Sequence, residues 1–380
     1  MSNRYLGGFI QNGLFNPLIA PTPSYLYNLF GWGLNTDGQL GIGNLTNYSS
    51  PTQVGSLTAW SSISGGLAHS LATKTDGTLW AWGYNLQGRL GLGNVTSYSS
   101  PKQVGLLTTW SKISCGYSHN LATRTDGTLW AWGLNNYGQL GQGNLTTYSS
   151  PKQVGSLATW SQIACGYSHS LTTKTDGTLW SWGYNTDGEL GLGTITHYSS
   201  PKQVGSLTTW SNPAAVSFHT LATKTDGSLW AWGYNFQGQL GLGNRTSYSS
   251  PKQVGLLTTW SKITGGNKGD VGTNFSLAIK TDGTLWSWGN NTKGQLGLGV
   301  LTNYSSPKQV GSLTSWLNIA AGAYYSTATA TDGTLWAWGL NNYGQLGQGT
   351  LANFSSPTQV GSLTSWSTAS CGLYNTLALN

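Results

Sequence analysis

The chain has little charge and very few acids. Charged residues make up 7% of its 380 residues, and Asp and Glu together number only 10. Six of these ten belong to a repeated Asp-Gly pair, which leaves Asp37, Asp187, Glu189 and Asp270. Because catalysis needs titratable groups that converge in one pocket, this scarcity argues against an enzyme and predicts neither a cofactor nor a metal centre.

Histidine is also rare, and four of the five histidines share one position of a repeated pattern: His69, His119, His169 and His219. Elsewhere that position holds Phe275, Tyr325 and Asn375. A position that accepts Phe predicts a structural side chain, hydrogen-bonded to a neighbouring strand, rather than a general base. Asp187, Glu189 and His197 fall in one unit and offer metal-ligating atoms, but no supporting residues accompany them, so a metal is not predicted.

The three cysteines, Cys115, Cys165 and Cys371, occupy one repeat position that otherwise holds Gly or Ala. An odd number of cysteines in a position for small residues predicts buried thiols rather than disulfides or a metal site.

Long apolar runs are missing as well. No run approaches the roughly 20 residues of a transmembrane helix, and the first residues lack the apolar core of a signal peptide. We therefore expect no membrane contact and, unless the protein lies on a virion, a cytoplasmic location.

Glycine and tryptophan are abundant, with 55 Gly and 20 Trp, and both follow a repeat. Each copy ends one strand-like run with a Trp-Gly pair, at Trp32, Trp82, Trp132, Trp182, Trp232, Trp288 and Trp338. Neighbouring pairs are 50 residues apart, except for one interval of 56. Self-similarity at such a period is typical of propellers and solenoids, in which each unit buries its faces against its neighbours.

Each unit reads as four short strands. In one copy, β-prone runs lie on both sides of Asp126-Gly127, which predicts a tight hairpin with a type I′ turn. Another strand begins at Trp110, and a short edge strand begins at Pro101, with the proline at its permitted end. Four strands in each of seven units predict an all-β fold, a seven-bladed β-propeller.

The two ends of the chain complete each other. The final run from Thr376 matches the strand before the Asp-Gly turn, and the run from Leu26 to Gly33 matches the strand after it. The seventh unit lacks this turn, so we expect the N- and C-terminal strands to pair and close the ring. The predicted domains are an N-terminal arm (residues 1–24) and the propeller (residues 25–380).

Three motifs carry a family likeness: Gly-x-x-His (116–119), Asp-Gly-x-Leu-Trp-x-Trp-Gly (126–133) and Asn-x-x-Gly-Gln-Leu-Gly (135–141). They recur in phase over most of the chain and resemble the RCC1-like repeat family. The resemblance implies a seven-bladed propeller and one of several functions: nucleotide exchange on a small GTPase, chromatin docking, ultraviolet sensing or enzyme inhibition. The light-sensing motif Gly-Trp-Arg-His-Thr is absent, the one insertion (within 265–273) is short and Gly-rich rather than wedge-like, and no basic tail suggests chromatin.

The net charge of +7 raises the question of nucleic acid, which needs a clustered basic surface. One set of cations stands two residues before an Asp, which predicts local neutralisation: Lys74, Arg124, Lys174, Lys224 and Lys280. A second set forms either a thin basic ring or, as we prefer, solvated lysines at strand edges: Lys102, Lys152, Lys202, Lys252 and Lys308. Nucleic acid is therefore not the predicted partner.

Differences among the copies show which positions the fold leaves free. Because the strands alternate in direction, the Asp-Gly hairpins share one face, and the Gly-x-x-His turns share the other with the Asn-x-x-Gly loops. The second face varies, and its predicted partner-binding residues are Asp37, Gln87, Tyr117, Tyr137, Tyr167, Phe218, Phe236, Lys293, Tyr324, Tyr343 and Tyr374. Aromatic loop residues on a rigid scaffold are typical of surfaces that bind a protein or a glycan, and neutral drift in unconstrained loops is the alternative.

The arm is rich in apolar residues, and its predicted anchoring residues are Tyr5, Leu6, Phe9, Ile10 and Phe15. It is either a disordered terminus or a segment that docks on another protein, such as a capsid or tail component. With the low charge and the near-copied repeats, its opening Arg4 to Phe9 resembles phage structural proteins. The first hypothesis is therefore a display or host-binding module on a virion surface. The alternative is an intracellular RCC1-like regulator, either an exchange factor or an enzyme inhibitor.

Overall fold

The computed structural model describes residues 26–266 and 274–380, which form seven four-stranded antiparallel sheets. Each sheet is one blade of a ring, and the first strand of each blade contacts the first strands of its neighbours, so these strands form the inner ring. The predicted all-β, seven-bladed β-propeller is confirmed.

Six blades are continuous in sequence. Blades 1 to 3 consist of β3 (Trp60–Gly65), β4 (His69–Lys74), β5 (Leu79–Gly83) and β6 (Tyr98–Gln103); β7 (Trp110–Cys115), β8 (His119–Arg124), β9 (Leu129–Gly133) and β10 (Tyr148–Gln153); and β11 (Trp160–Cys165), β12 (His169–Lys174), β13 (Leu179–Gly183) and β14 (Tyr198–Gln203). Blades 4 to 6 consist of β15 (Trp210–Ala215), β16 (His219–Lys224), β17 (Leu229–Gly233) and β18 (Tyr248–Gln253); β19 (Trp260–Gly266), β20 (Phe275–Lys280), β21 (Leu285–Gly289) and β22 (Tyr304–Gln309); and β23 (Trp316–Ala321), β24 (Tyr325–Ala330), β25 (Leu335–Gly339) and β26 (Phe354–Gln359).

The seventh blade is built from both ends of the chain, as predicted. Its inner strands are β27 (Thr368–Cys371) and β28 (Asn375–Leu379), and its outer strands are β1 (Leu29–Gly33) and β2 (Tyr48–Gln53). β1 and β28 pair in regular antiparallel register, from Leu29 opposite Leu379 to Gly33 opposite Asn375. The pairing closes the ring and leaves neither β1 nor β28 as a sheet edge.

The tryptophans of the Trp-Gly pairs tie each blade to the one before it. All seven are fully buried, and each indole N–H donates to a backbone carbonyl of the preceding blade. In blade 2, Trp132 Nε1 donates to the carbonyl of Arg89 at 3.0 Å, and Asn120 donates to the same oxygen at 2.7 Å. Apolar burial and satisfied hydrogen bonds therefore act at the same junctions.

The predicted type I′ turn is wrong. Gly77 has a φ of 76°, but Asp76 keeps an ordinary negative φ, since Ala59 is the one non-glycine residue with a positive φ among those described. Gly77 N donates to the carbonyl of Lys74, and Lys74 N donates to that of Thr78. The hairpin therefore has a three-residue loop, a type I turn followed by a left-handed glycine. The Asp76 carboxylate accepts from the backbone N–H and the hydroxyl of Thr78, at 2.9 and 2.6 Å, which explains the Asp at this position.

The outer strands also differ from the prediction. They begin three residues earlier than expected, so that Pro101 lies inside β6 rather than at its end. The register between β5 and β6 shifts there, from Ala81 opposite Lys102 to Gly83 opposite Tyr98. At a bulge on an edge strand, the backbone N–H is not required for the hydrogen bonds of the sheet. Proline, which lacks this N–H, is therefore tolerated.

The cations before the Asp-Gly turns lie over tryptophan rings, and all but Arg124 are beyond ion-pair distance of the aspartate. Lys174 Nζ lies 3.8 Å from the ring centroid of Trp180 and 5.0 Å from that of Trp160. Within residues 26–266 and 274–380, the one ion pair joins Arg124 to Asp126 at 3.8 Å. The hydrogen bonds from Thr78 and the nearby charge of Lys74 all lower the pKa of Asp76, so the predicted local neutralisation persists at longer range beside the cation–π contacts.

The repeated histidines are structural, as predicted. His119 Nε2 lies 3.0 Å from Ser170 Oγ of the next blade, and His169 and His219 make equivalent bonds. Burial lowers the pKa of each of these three to about 3, so they are neutral near pH 7. A Cβ at Gly116 would lie 2.5 Å from the His119 ring, which explains the glycine of the Gly-x-x-His motif.

The three cysteines are buried thiols outside any disulfide, also as predicted. Cys115 Sγ contacts the carbonyl of Ser64 in the preceding blade at 3.2 Å. The position lies at a crowded junction between inner strands, where a small side chain is required.

Candidate functional site

The two variable segments of each repeat meet at one end of the propeller, the loop face. The loop after β5 begins where Tyr84 N donates to the carbonyl of Ala68, in the turn before β4. The Asp-Gly turns lie at the other end, the hairpin face, where Trp110 N donates to the carbonyl of Gly77. The predicted division into two faces is therefore present.

Six aromatic side chains form a continuous cluster on the loop face of blades 2 to 4, the aromatic arc: Tyr117, Tyr137, Tyr167, Tyr184, His197 and Phe218. Ring centroids are 4.4 Å apart for Tyr117 and Tyr167, and 5.0 Å apart for Tyr167 and Phe218. Tyr184 stacks on His197 at 5.0 Å, and Tyr137 meets both rings edge-on. These separations fit favourable aromatic pairs.

The arc has a buried floor and an exposed rim. Phe218, which the sequence placed among the binding residues, is only 6% exposed and lies beneath Tyr167 and Tyr184. Tyr137 is 38% exposed, His197 is exposed, and Tyr117, Tyr167 and Tyr184 are half-buried. Phe218 therefore supports the arc from below, because it packs against the rings that solvent reaches.

Sequence reasoning missed Tyr184 and His197 as members of this cluster. The position of Tyr184 holds Leu in three other blades and Asn in a fourth, a variation that signals a free position, but it also holds Tyr84 and Tyr234 and so resembles scaffold. His197 was considered as a metal ligand, but its Nδ1 accepts from Asn185 N at 2.9 Å and its ring stacks on Tyr184. No group of three or more metal-ligating side chains occurs in the described part of the chain.

The remaining predicted residues lie around the loop face outside the arc. Tyr343 and Tyr374 pair at 5.3 Å in blades 6 and 7, and Tyr324 is half-buried nearby. Phe236 is exposed beside Tyr234, with 4.9 Å between their centroids, and Lys293 is exposed. Asp37 and Gln87 are half-buried, and Gln87 Oε1 accepts from Arg89 Nη2. The eleven positions therefore do not form one site.

Two buried charges lie in the loops of blades 1 and 3, at a repeat position that holds Gln in the other five blades. Arg89 is 2% exposed, with its guanidinium 4.7 Å from the ring centroid of Tyr84, and burial lowers its pKa to about 10. Glu189 is fully buried, and burial raises its pKa to about 8. Glu189 Oε2 accepts from Asp187 N at 3.0 Å, whereas Oε1 has no hydrogen-bond partner. Near pH 7, Glu189 is therefore mostly protonated and resembles the glutamine it replaces.

The predicted anchoring residues Tyr5, Leu6, Phe9, Ile10 and Phe15 lie outside the described residues, as does Asp270. The described part of the chain begins at Leu26 on the hairpin face, where the backbone groups of Asn28 and Asn380 form two hydrogen bonds with each other. None of the described segments is a helix with the length and apolar character of a membrane span.

These features define a class of protein, a closed seven-bladed propeller with a uniform hairpin face and a variable, partly aromatic loop face. The chain belongs to the RCC1-like domain family, which matches residues 28–270. The regulator of chromosome condensation (RCC1) repeat matches residues 282–329 and 332–379, and a second RCC1 repeat family matches residues 268–295 and 316–345.

Solved structures of similar fold include human WBSCR16, with a TM-score of 0.83 and 23% identity over 93% of this chain and 98% of that one. Yeast RCC1 (Prp20) bound to Kap60 has a TM-score of 0.82 and 21% identity over 94% and 89% of the two chains. Saccharomyces cerevisiae Prp20p, described with its binding to Gsp1p and histones, has a TM-score of 0.80 and 22% identity over 93% and 91%. Such identities show the fold alone.

Among curated proteins, the RCC2 homolog of Danio rerio is 48% identical over 46 residues. The match covers 12% of this chain and 9% of that protein, so it corresponds to about one repeat.

Proposed function

We propose that this protein is a non-enzymatic RCC1-like regulator that acts by binding a partner protein through the aromatic arc. The arc carries the proposal. It gathers six rings on three neighbouring blades, whereas most of the equivalent positions elsewhere are not aromatic, the exceptions being Tyr84, Tyr234, Tyr324, Tyr343 and Tyr374.

The arc has the chemistry of a protein-binding surface. Tyrosine provides large contact areas and a hydroxyl with little conformational freedom to lose, and aromatic anchors dominate the energetics of interfaces. The rings already pack on one another and on buried Phe218, so part of the ordering cost of binding is met before a partner arrives.

The relatives favour a regulator over a display protein. One yeast RCC1 structure contains Kap60, and the other is described with binding to Gsp1p and histones. These are properties of those proteins, and they support protein partners as the first candidates here. A small GTPase of the Gsp1p type and core histones are therefore the partners to test first.

A matched pair of tyrosines provides the test. Tyr137 and Tyr343 occupy the same repeat position and are both 38% exposed, but only Tyr137 belongs to the arc. A photo-crosslinking amino acid at each position would be used to capture partners, and the captured protein would then be purified and titrated calorimetrically. We expect Tyr137→Ala with Tyr167→Ala to weaken binding about 100-fold or more, by loss of two anchors, and Tyr343→Ala to leave Kd unchanged.

Equal capture from both positions, or a Kd unaffected by the double substitution, would refute the role of the arc. If the partner is the GTPase, a nucleotide-release assay would accompany the titration. An exchange factor must accelerate nucleotide release from the GTPase as well as bind it.

The display role on a virion rests on residues 1–24 and on composition, and none of the relatives above favours it. It makes a separate prediction, since deletion of residues 1–24 should then abolish incorporation into particles. For a regulator acting through the loop face, the same deletion leaves partner binding intact, because the chain enters the propeller at the opposite face.

A further inference from the structure

Four equivalent pockets lie on the side of the ring between neighbouring blades, the rim pockets. They occur at the junctions of blades 1–2, 2–3, 3–4 and 4–5, and each has a volume of about 320 to 380 Å³. The pocket between blades 2 and 3 is lined by Leu157, Trp160, Trp180, Ser200 and Pro201, together with the glycine-rich segment 141–143. None of its lining side chains is charged.

Each rim pocket contains a buried hydrogen-bond donor without a partner. The tryptophans that begin the inner strands are only 4 to 6% exposed there, and their indole N–H groups lack acceptors: Trp110, Trp160, Trp210 and Trp260. A buried, unsatisfied N–H costs about 1–3 kcal/mol. The equivalent Trp316 and Trp366 also lack an acceptor, so six copies of this cost occur at one repeat position and call for an explanation.

Blade 1 shows how the same donor is satisfied within the protein. Trp60 Nε1 donates to the carbonyl of Leu57 at 3.0 Å. The linker that makes this bond contains Ala59, whose φ is 67°. The equivalent Thr109 and Thr159 keep negative φ, and their linkers leave the indole N–H unpaired. Leu57 corresponds to Leu107 and Leu157, and these leucines line rim pockets together with Trp110 and Trp160, which carry unpaired N–H groups.

A second tryptophan gives each pocket a rigid aromatic wall. In the pocket between blades 2 and 3, Trp180 Nε1 donates to Thr178 Oγ1 at 2.9 Å, and Lys174 Nζ lies 3.8 Å from the ring centroid. Trp230 and Trp286 are held in the same way. The exposed hydroxyl of Ser200 or its equivalent completes the mouth of each pocket.

We propose that the rim pockets bind carbohydrate, one neutral sugar residue in each pocket. The indole N–H donates to a sugar oxygen, and the second tryptophan packs against the apolar face of the sugar ring. A pocket near the lower end of the usual ligand range of about 300–1,000 Å³ suits a single sugar residue. The uncharged lining disfavours phosphate, nucleotide and charged peptide groups.

Repetition favours a glycan over a folded protein partner. Four pockets with the same lining are suited to a ligand that presents the same group several times, as a polysaccharide or a cluster of glycans does. Weak individual sites then combine, because linked binding events raise overall affinity about 10²–10⁴-fold. These sites lie on the rim and not on the loop face, so they are independent of the proposed protein-binding arc.

Indole N–H resonances of the full chain report directly on the donors. Glucose, galactose, mannose and N-acetylglucosamine would each be titrated to about 50 mM, a range that detects millimolar Kd values. We expect one of these sugars to shift the indole signals of the four pocket tryptophans (Trp110, Trp160, Trp210 and Trp260) together, while the signal of Trp60, already bonded to Leu57, stays in place. N-methylacetamide serves as the peptide probe. A response to it but to no sugar, or no response to any probe, would overturn the proposal.

Substitution of the four exposed serines closes the pockets without touching the core. The variant carries Ser→Tyr at Ser150, Ser200, Ser250 and Ser306. Its binding to a surface coated with the responding sugar should fall about 100-fold or more as the multivalent contribution is lost. The control is Leu106→Ser, at a 91% exposed position that holds Ser in other repeats, and it should bind as the wild type does. Undiminished binding by the four-serine variant would place any sugar site elsewhere and refute the rim pockets.

Discussion

The hairpin face and the loop face belong to the same repeat but are stabilised by different chemistry. At the hairpin face, exposed aspartates such as Asp126 accept hydrogen bonds from the next Thr. At the loop face, the stabilising polar groups are buried. They include the three histidines of lowered pKa, Glu189, Arg89 and a repeated asparagine. Proton uptake or side-chain removal should therefore affect the loop face far more than the hairpin face.

Acid provides the largest test of this difference. Folding lowers the pKa of His119, His169 and His219 from 6.5 to about 3, so their stabilising contribution is complete above pH 6.5 and is lost as the pH falls towards 3. At about 1.4 kcal/mol per pH unit and histidine, the three cost about 10 kcal/mol at pH 4. Glu189 returns about 3 kcal/mol of this, because at pH 4 the glutamate of the unfolded chain is largely protonated too and no longer favours unfolding by ionising. A net loss of about 7 kcal/mol is comparable to the total stability of a protein, so we expect unfolding near pH 4. Urea denaturation midpoints measured at a series of pH values test this.

A histidine variant identifies the cause of the acid unfolding. Asn375 occupies the histidine position in blade 7 and does not titrate, so His119→Asn should reduce the pH dependence of stability by about a third. The slope is the relevant measurement, since the substitution also changes stability at neutral pH. A slope equal to that of the wild type would show that acid acts elsewhere.

Glu189→Gln should stabilise the protein, with a pH dependence of opposite sign. The folded pKa of about 8 lies above the usual 4.5, so the glutamate's contribution is fully present below pH 4.5 and is lost as the pH rises through 8. The variant should match the wild type near pH 4 and exceed it by about 3 kcal/mol at pH 7. The matched reverse substitution, Gln139→Glu, should destabilise with the same pH profile. A stability gain that does not change with pH would contradict the assignment.

Removal of one buried loop asparagine should cost more than removal of one turn aspartate. Asn135 is fully buried; its Oδ1 accepts from Leu140 N at 2.9 Å, and its Nδ2 donates to the carbonyls of Asn144 and Thr146 at 3.0 Å each. We expect Asn135→Ala to lower the free energy of unfolding by about 3 kcal/mol. Asp126→Ala should cost much less, because its bonds are solvent-exposed. Urea denaturation compares the two, with the exposed Asn136→Ala as control, and equal losses at both faces would remove the distinction.

The scaffold could be predicted because every copy repeats the same evidence. The Trp-Gly spacing, the Asp-Gly hairpin and the missing seventh turn determine blade number, strand number and ring closure. The finer errors arise where one sequence fits two local structures. Asp-Gly suits either a two-residue or a three-residue loop, and the hydrogen bonds of Thr78 favour the longer one. Pro101 was expected at a strand end, because a bulge cannot be seen from sequence spacing alone.

The candidate sites were harder to predict, because burial and not residue type defines them. Comparison of the copies found Tyr117, Tyr137 and Tyr167 but passed over Tyr184, which also appears as Tyr84 and Tyr234 and so resembled scaffold. The rim pockets use residues that repeat almost unchanged, so variation cannot find them. Their signal is an indole N–H that one blade satisfies and six leave unpaired, four of them at rim pockets, which the sequence alone does not show.

The smallest expected effect on stability concerns the rim of the arc. Tyr137 and Tyr343 have the same exposure, and each packs edgewise or at a tilt on neighbouring rings, at 4.9 Å from Tyr184 and 5.3 Å from Tyr374 respectively. Tyr137→Ser and Tyr343→Ser should therefore each change the free energy of unfolding by only about 0.5 kcal/mol, as surface substitutions usually do. Thermal melts of the two variants should coincide within a few degrees. If Tyr137→Ser were destabilising by several kcal/mol while Tyr343→Ser was not, the arc would be a structural cluster of the blades. The tyrosines of the arc would then serve to stabilise the blades, and the two faces would differ in their contribution to stability but not in partner binding.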